Sequence, residues 1–452
     1  MRNIAALNKL GYQRVVEKYR YAGSRTFYAA ICGMLSAVAT YFSGAIAARA
    51  LGPAAIGEFY LAVQIVSYLT LAAGLGLTEI AQREVARNPQ LKNRFLWLVI
   101  SIQLPLSVLF VFFSITVNTV TGYIDNKLWY IIVGLAFANC ANISWFLQAV
   151  KHTTFVFVST LFLDVALVFT CSFFVRAPGD IYMYALLYVS VQVLKVCFLI
   201  IYTVLCGIGI QIRKLSLRGS GALIVAAAPN ALSYVSILIY YNSDAFVINY
   251  YFDEATVGKY TAAYALMLML TAPCFAILKV HFGLLSEVAR SSDAMMKERS
   301  RAFLRILSFI GAPLAALGVF FAQTVFAAVY GEKFSDGWVY FQYLSLNLLL
   351  IYINVGYAKP LIAWGFQRAH MLITLSSAVL NVLLNFSLIP HFGALGAVHA
   401  TIISELFVFF AVWGVRTYYD LARFSLVRAI AFPISCSFLF AYIGKIIFDH
   451  GG

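Results

Sequence analysis

The chain has 452 residues, 62% hydrophobic and 11% charged, with a formal net charge of +14, and its mean hydropathy is +0.87. Soluble domains carry about a quarter charged residues, so this composition excludes an ordinary water-soluble fold. It predicts an all-α integral membrane protein whose solvent is lipid.

Residues 1–25 contain Arg2, Lys9, Arg14, Lys18, Arg20 and Arg25 but no apolar run of the kind a cleaved signal needs, so this basic segment is expected to stay in the cytoplasm. Apolar runs then recur at 26–49, 57–80, 95–117, 128–149, 154–175, 181–204, 222–250, 258–281, 302–329, 338–358, 369–390 and 394–415. A spanning helix needs about 20 mostly apolar residues, so these predict about twelve transmembrane helices. Residues 429–448 form a candidate thirteenth, interrupted by Pro433 and Lys445. The predicted organisation is a basic N-terminal segment (1–25), a six-helix bundle (26–204), a cytoplasmic linker (205–221), a second six-helix bundle (222–415) and a C-terminal extension (416–452).

Of the 32 Lys and Arg residues, 24 fall in connectors on the side of the N-terminus and five (Arg49, Lys127, Arg176, Lys259, Lys333) on the other. The positive-inside rule therefore places the N-terminus in the cytoplasm of a multi-pass protein. Basic loops facing anionic lipid account for the net charge without a nucleic-acid partner. The seven cysteines lie in or beside apolar runs with no paired spacing, which reads as packing rather than as a metal or disulfide framework. No Walker loop, HExxH or nucleophile elbow occurs, so no catalytic activity, cofactor or metal is expected. No connector is long enough to house the donor site of a glycosyl-transferring enzyme.

An internal repeat emerges on comparing the halves. Leu51-Gly52-Pro53-Ala54-Ala55-Ile56-Gly57-Glu58-Phe59 corresponds to Phe252-Asp253-Glu254-Ala255-Thr256-Val257-Gly258-Lys259-Tyr260 at an offset of 201. Glu84-Val85-Ala86-Arg87 recurs as Glu287-Val288-Ala289-Arg290, and Phe95-Leu96 to Pro105-Leu106 as Phe303-Leu304 to Pro313-Leu314. Two parallel six-helix repeats around a central cavity are a transporter architecture, with alternating access by rocking of one half against the other.

Ala48-Arg49-Ala50-Leu51-Gly52-Pro53 with Gly57-Glu58-Phe59, Asp244 followed by Val257-Gly258-Lys259-Tyr260, and Asn381 to Gly396 resemble the Wzx-type flippases. These form the polysaccharide branch of the multidrug/oligosaccharidyl-lipid/polysaccharide exporter superfamily. The similarity runs over roughly residues 20–415. It implies two six-helix bundles around a central cavity, a polyprenyl-diphosphate-linked oligosaccharide such as an O-antigen unit as cargo, and flipping driven by an ion gradient. It further implies a bacterial inner-membrane location and a polysaccharide polymerase and chain-length regulator as partners. The segment 429–448 departs from the family's usual twelve spans and would place the C-terminus outside. A multidrug exporter of the same superfamily and a lipid II-type flippase are the alternatives; basic rims and few mid-membrane acids favour an anionic cargo.

Ionisable groups at membrane depth are costly and mark function or pairing. Asp164 and Lys195 fall at similar depth on neighbouring spans, where they form a structural ion pair or serve transport. Glu405 sits mid-span, with Lys279 or His399 as candidate partners, and is either a proton carrier or a packing residue. Arg49, Glu58, Asp244 and Lys259 at the outer ends of spans one, two, seven and eight form a candidate gate or cargo-contacting ring, Arg being suited to a diphosphate by its planar fork. Arg83, Arg87, Lys279, His281 and Arg290 flank the cytoplasmic ends of spans two and eight as a candidate inner rim. Asn347 with Asn354, and Asn381 with Asn385, are expected to bond between helices.

Overall fold

In hydrocarbon, each backbone N–H and C=O must be satisfied within its own segment, which forces the apolar runs into helices. The computed structural model describes residues 28–208, 221, 235–236, 238–239, 242–287, 293–421 and 426–450. The long helices are α1 (Tyr28–Leu51) and α4 (Asn126–Ala149); α2 (Pro53–Gly74), α3 (Lys92–Thr121), α5 (Thr153–Phe174) and α6 (Ile181–Leu205); and a helical stretch α7 at 242–251. Then follow α8 (Glu254–Glu287), α9 (Asp293–Phe320), α10 (Trp338–Ala363), α11 (Gln367–Phe392), α12 (Ala394–Tyr418) and α13 (Leu426–His450). Twelve helices among the described residues, all of these but α7, are long and apolar enough to cross a membrane. Most of the expected seventh span, 222–250, lies outside the described residues.

Local chemistry moves several boundaries. The expected span 128–149 is three short helices, Asn126–Ile132, Gly134–Cys140 and Ser144–Ala149. Asn142, whose side chain accepts from the Ser144 amide at 2.8 Å, competes with the helical ladder there. The expected span 302–329 begins earlier, at Asp293, and breaks at Phe321 before a separate helix, Ala322–Tyr330. The basic connector at 81–94 holds an amphipathic helix, Leu77–Arg87, set off from α2 by left-handed Leu75 and Gly76. It buries Leu77, Ile80, Ala81 and Val85 and turns Arg83 and Arg87 outward. Asp253 precedes α8 and accepts from the Thr256 amide at 2.8 Å, and its hydrogen bonds with Thr256 hold its carboxyl below the usual carboxylate range.

Burial divides the molecule along its long axis. At the end carrying Gly57 and Gly258, one apolar core joins Ala48, Leu51, Phe59 and Tyr184 of the first half to Tyr260, Phe326 and Ala394 of the second. Toward the opposite, basic end this core continues in the second half through Leu285, Phe303 and Leu307, and two smaller clusters lie apart from it. One packs Val85, Leu96 and Phe146 of the first half, and the other packs Tyr357, Leu361 and Val412 of the second. Among the helices α2–α6 and α8–α13, the main contact between halves is α2 against α8.

Helix α13, the candidate thirteenth span, lies on α9. Phe320 meets Phe438 and Tyr442, and Phe309 meets Phe432. Only 6% of its apolar window is fully buried, so the face turned away from α9 is left for lipid.

Candidate gate and buried polar networks

Helices α2 and α8 meet at their N-terminal turns, where the repeat puts a glycine in each. A Cβ on Gly57 would stand 2.0 Å from the Glu254 carbonyl oxygen, and one on Gly258 would stand 1.9 Å from that of Pro53. Because the offset of 201 relates residue 53 to 254 and residue 57 to 258, each contact is the other's mirror in the repeat. Backbone packs on backbone, as small residues permit between membrane helices. Around this contact Arg49 donates to the Ala328 carbonyl at 3.1 Å, Lys333 to the Ala50 carbonyl at 3.0 Å, and the Asn249 amide to the Tyr123 hydroxyl at 2.8 Å. All three bonds join the first half to the second.

Among the described residues, no hydrogen bond or ion pair joins the four charges of the expected outer ring to one another. Arg49 crosses the seam, but its partner is a carbonyl rather than an acid. Glu58 accepts from the Asp125 amide at 2.8 Å within its own half, and Lys259 pairs with Asp336 at 2.7 Å within the other. Asp244 is 1% exposed and buried in the second half. Each charge has a partner of its own: a carbonyl for Arg49, a backbone amide for Glu58, Asp336 for Lys259 and neutral donors for Asp244. Lys333, read from sequence as an ordinary loop residue, is the second cation of the seam. The Gly331-Glu332-Lys333 turn between two apolar runs was the available signal.

At the basic end, Arg83 and Arg87 both pair with Glu84, at 3.2 and 3.6 Å, and remain exposed. Lys279 lies over the Phe157 ring, 5.2 Å from its centroid, and His281 contacts the Ile277 carbonyl of its own helix at 3.1 Å. Arg290 lies outside the described residues.

Two buried networks occupy membrane depth. In the first half, Lys195 on α6 meets Asp164 on α5 at 2.5 Å, Ser36 on α1 donates to the other Asp164 oxygen, and Gln192 accepts from the ammonium at 3.4 Å. The carboxylate is 1% exposed and the lysine 13%, so the pair is satisfied by three helices. Ser36 was invisible in the sequence, since a lone serine in an apolar run carries no pattern. In the second half, Asp244 on α7 accepts from the Tyr260 hydroxyl and the Asn385 amide, each at 2.5 Å, and from the Thr401 hydroxyl at 3.3 Å. Neutral donors from α8, α11 and α12 thus surround it. Asn381 accepts from Asn385 at 3.1 Å in the same cluster.

Glu405 has neither Lys279 nor His399 as a hydrogen-bonding partner. The Asn354 amide donates to its carboxylate at 2.5 Å and to its main-chain carbonyl at 2.9 Å, while His399 packs against Tyr343 and Phe392. Asn347 donates to the Met267 sulfur at 3.7 Å. Glu405 and Asn354 line a cavity of about 480 Å³ between α10, α11 and α12 that also takes in Lys359, Gln367, His370 and Thr374. Lys359 had been read as a cytoplasmic connector residue. Helix α10 instead runs on to Ala363, carrying Lys359 into the cavity wall.

Comparison with known proteins agrees with this architecture. A lipid II flippase MurJ in an inward closed conformation superposes with a TM-score of 0.71 at 14% identity, covering 92% of this chain and 91% of that one. An inward-facing multidrug resistance MATE family transporter of the MOP superfamily gives 0.63 at 16% identity, covering 85% and 94%. A MOP superfamily transporter from Pyrococcus furiosus gives 0.61 at 14% identity, covering 94% and 96%. At these identities the likeness establishes the fold. No sequence among curated proteins matches. The family described as polysaccharide biosynthesis protein matches residues 23–289, more than half of the chain. The sequence and the all-helical fold together place this chain in the polysaccharide biosynthesis protein family.

Proposed function

We propose that the chain is a flippase that moves a polyprenyl-diphosphate-linked oligosaccharide, such as an O-antigen unit, from the cytoplasmic to the outer leaflet of a bacterial inner membrane. In this reading the N-terminus and basic end face the cytoplasm. Bundles 26–204 and 222–415 move against each other, and the Gly57/Gly258 end is the outer gate. The observation that carries the reading is the core, which is shared by both halves at the glycine end and divided at the basic end. Such a division suits two bodies that rock about one seam. Arg49, at the seam, engages the cargo's diphosphate when its bond to Ala328 opens. The Asp164–Lys195 pair and Glu405 are the candidates for ion coupling, and a polymerase and chain-length regulator would act on the delivered product.

The decisive measurement is delivery of lipid-linked glycan to the outer leaflet in cells lacking their own flippase. Restored delivery that falls with Arg49→Ala at matched membrane abundance is expected; full activity of Arg49→Ala would leave Arg49 as an interfacial anchor. The fold likeness to MurJ supports a second reading, a lipid II-type flippase, which rescue of peptidoglycan precursor export would favour. Drug efflux without glycan delivery would replace both with an exporter.

A further inference from the structure

The second-half cavity holds a charged group that the gate does not use. Lys359 has three N–H donors, and its hydrogen-bonding partner among the described residues is His370 Nε2, at 3.4 Å. That is long for a nitrogen donor, whose usual reach is about 2.7–3.2 Å. The His370 ring is oriented by Thr374, whose hydroxyl lies 3.5 Å from Nδ1 and donates to the His370 carbonyl at 2.9 Å. Nε2 therefore faces Lys359. The ammonium thus lines a space of about 480 Å³ with donors to spare, and a volume of about 300–1,000 Å³ suits a small-molecule group. A partly buried ammonium with unused donors is costly unless an acceptor arrives.

The rest of the wall tells which acceptor fits. Gln367 and Thr374 add polar groups on α11, near the end of the bundle where α10 turns into α11, while Ile351, Val355 and Leu375 line the cavity with apolar surface. Glu405, the carboxylate of the wall, is held by the Asn354 amide. It balances Lys359 electrically and leaves the ammonium's remaining donors open. We propose that this cavity is a binding site for a phosphate oxyanion, with Lys359 as the principal donor and His370 beside it. The site lies wholly within the second half and is separate from the seam at Arg49. The group bound is either the headgroup of a phosphorylated lipid or a free phosphate compound, since both present the same oxygens. The proposal goes beyond the translocation reading, because it concerns binding alone.

The test is calorimetric titration of the purified full-length protein in detergent with farnesyl diphosphate, inorganic diphosphate and, as an uncharged control, farnesol. Farnesyl diphosphate is expected to bind and farnesol not to. Lys359→Met should weaken binding at least tenfold, Lys359→Arg should retain most of it, and Glu405→Gln should bind as tightly or more tightly, because a competing carboxylate is gone. Comparable affinity for inorganic diphosphate would assign the site to free phosphate compounds; binding of farnesyl diphosphate alone would assign it to a lipid headgroup. The double variant Lys359→Met/Glu405→Gln keeps the cavity's charge balance and should lose binding while keeping the ligand-free melting temperature, which separates loss of the donor from loss of the fold. Three results would overturn the proposal: no binding of either diphosphate to the wild type, unchanged affinity in both Lys359→Met and the double variant, or equal loss in Glu405→Gln. Failed glycan delivery with diphosphate binding intact would count against the translocation reading and leave this one standing.

Discussion

Single buried charges in this protein are held by partners from several helices, and that sets how substitutions should behave. Asp164→Asn strands the Lys195 ammonium, and Lys195→Met strands a carboxylate that is 1% exposed. Each is expected to lower membrane abundance several-fold, since a loss of ~1–2 kcal/mol suffices for that. The double variant should lose less than the two singles combined, because neither charge is then left alone. Abundance of a fluorescent fusion in membranes measures this, and strictly multiplicative losses would show that the pair contributes nothing. Arg416 is a second case. It is 1% exposed, donates to the Tyr357 carbonyl at 3.1 Å and to the Ser300 hydroxyl at 3.4 Å, and stacks 4.1 Å from the Tyr357 ring. A point ammonium has neither the fork nor the flat face, so Arg416→Lys should recover little of the stability lost in Arg416→Met. Equal thermal melting of Arg416→Lys and the wild type in detergent would refute that role. In sequence Arg416 looked like one more cytoplasmic charge, because nothing local reveals that α9, α10 and α12 close around it.

At the scale of helices, the glycine contact gives the sharpest expectation. An alanine at Gly57 or Gly258 puts a carbon about 2 Å from a carbonyl oxygen of the other half, so the sealed arrangement must open to admit it. A cost of only ~1.4 kcal/mol shifts a two-state balance tenfold. Val257→Cys, at a position 0% exposed, should therefore label with a membrane-impermeant maleimide far faster in a Gly57→Ala or Gly258→Ala background than alone, with glycan delivery reduced. Unchanged labelling would mean that these helices yield locally without separating. The two turns were legible as a repeat from their residues alone. Their meeting was not, because a repeat specifies that two segments are alike and says nothing about which end of each approaches the other. The partners of Arg49, Glu58, Asp244 and Lys259 were hidden for a related reason: sequence placed all four at span ends, but side chains of four or five bonds carry Glu58 and Lys259 to Asp125 and Asp336, which lie far along the chain. Span ends drawn at charges failed likewise at Lys359, where the helix continues through Pro360 to Ala363.

For the whole molecule, apolar length made most of the spans readable, since lipid leaves helices as the available solution. Reporters at Lys127, Arg176 and Lys333 should read outside, and those at Arg87 and Lys297 inside. One at Gly452 should read outside if α13 crosses the bilayer. A cytoplasmic signal there would put α13 in the interface, and Lys297 outside would break the two-bundle reading.

Where α2 and α8 touch, the seam between the halves is main chain. Gly57 and Gly258 bring no side chain to it, and Arg49 and Lys333 reach carbonyls that every residue type possesses. A closure built this way cannot distinguish one sugar from another. In the proposed flippase Arg49 serves both the shut seam and the cargo's diphosphate, a group common to all such cargo, so closure places no demand on the sugar.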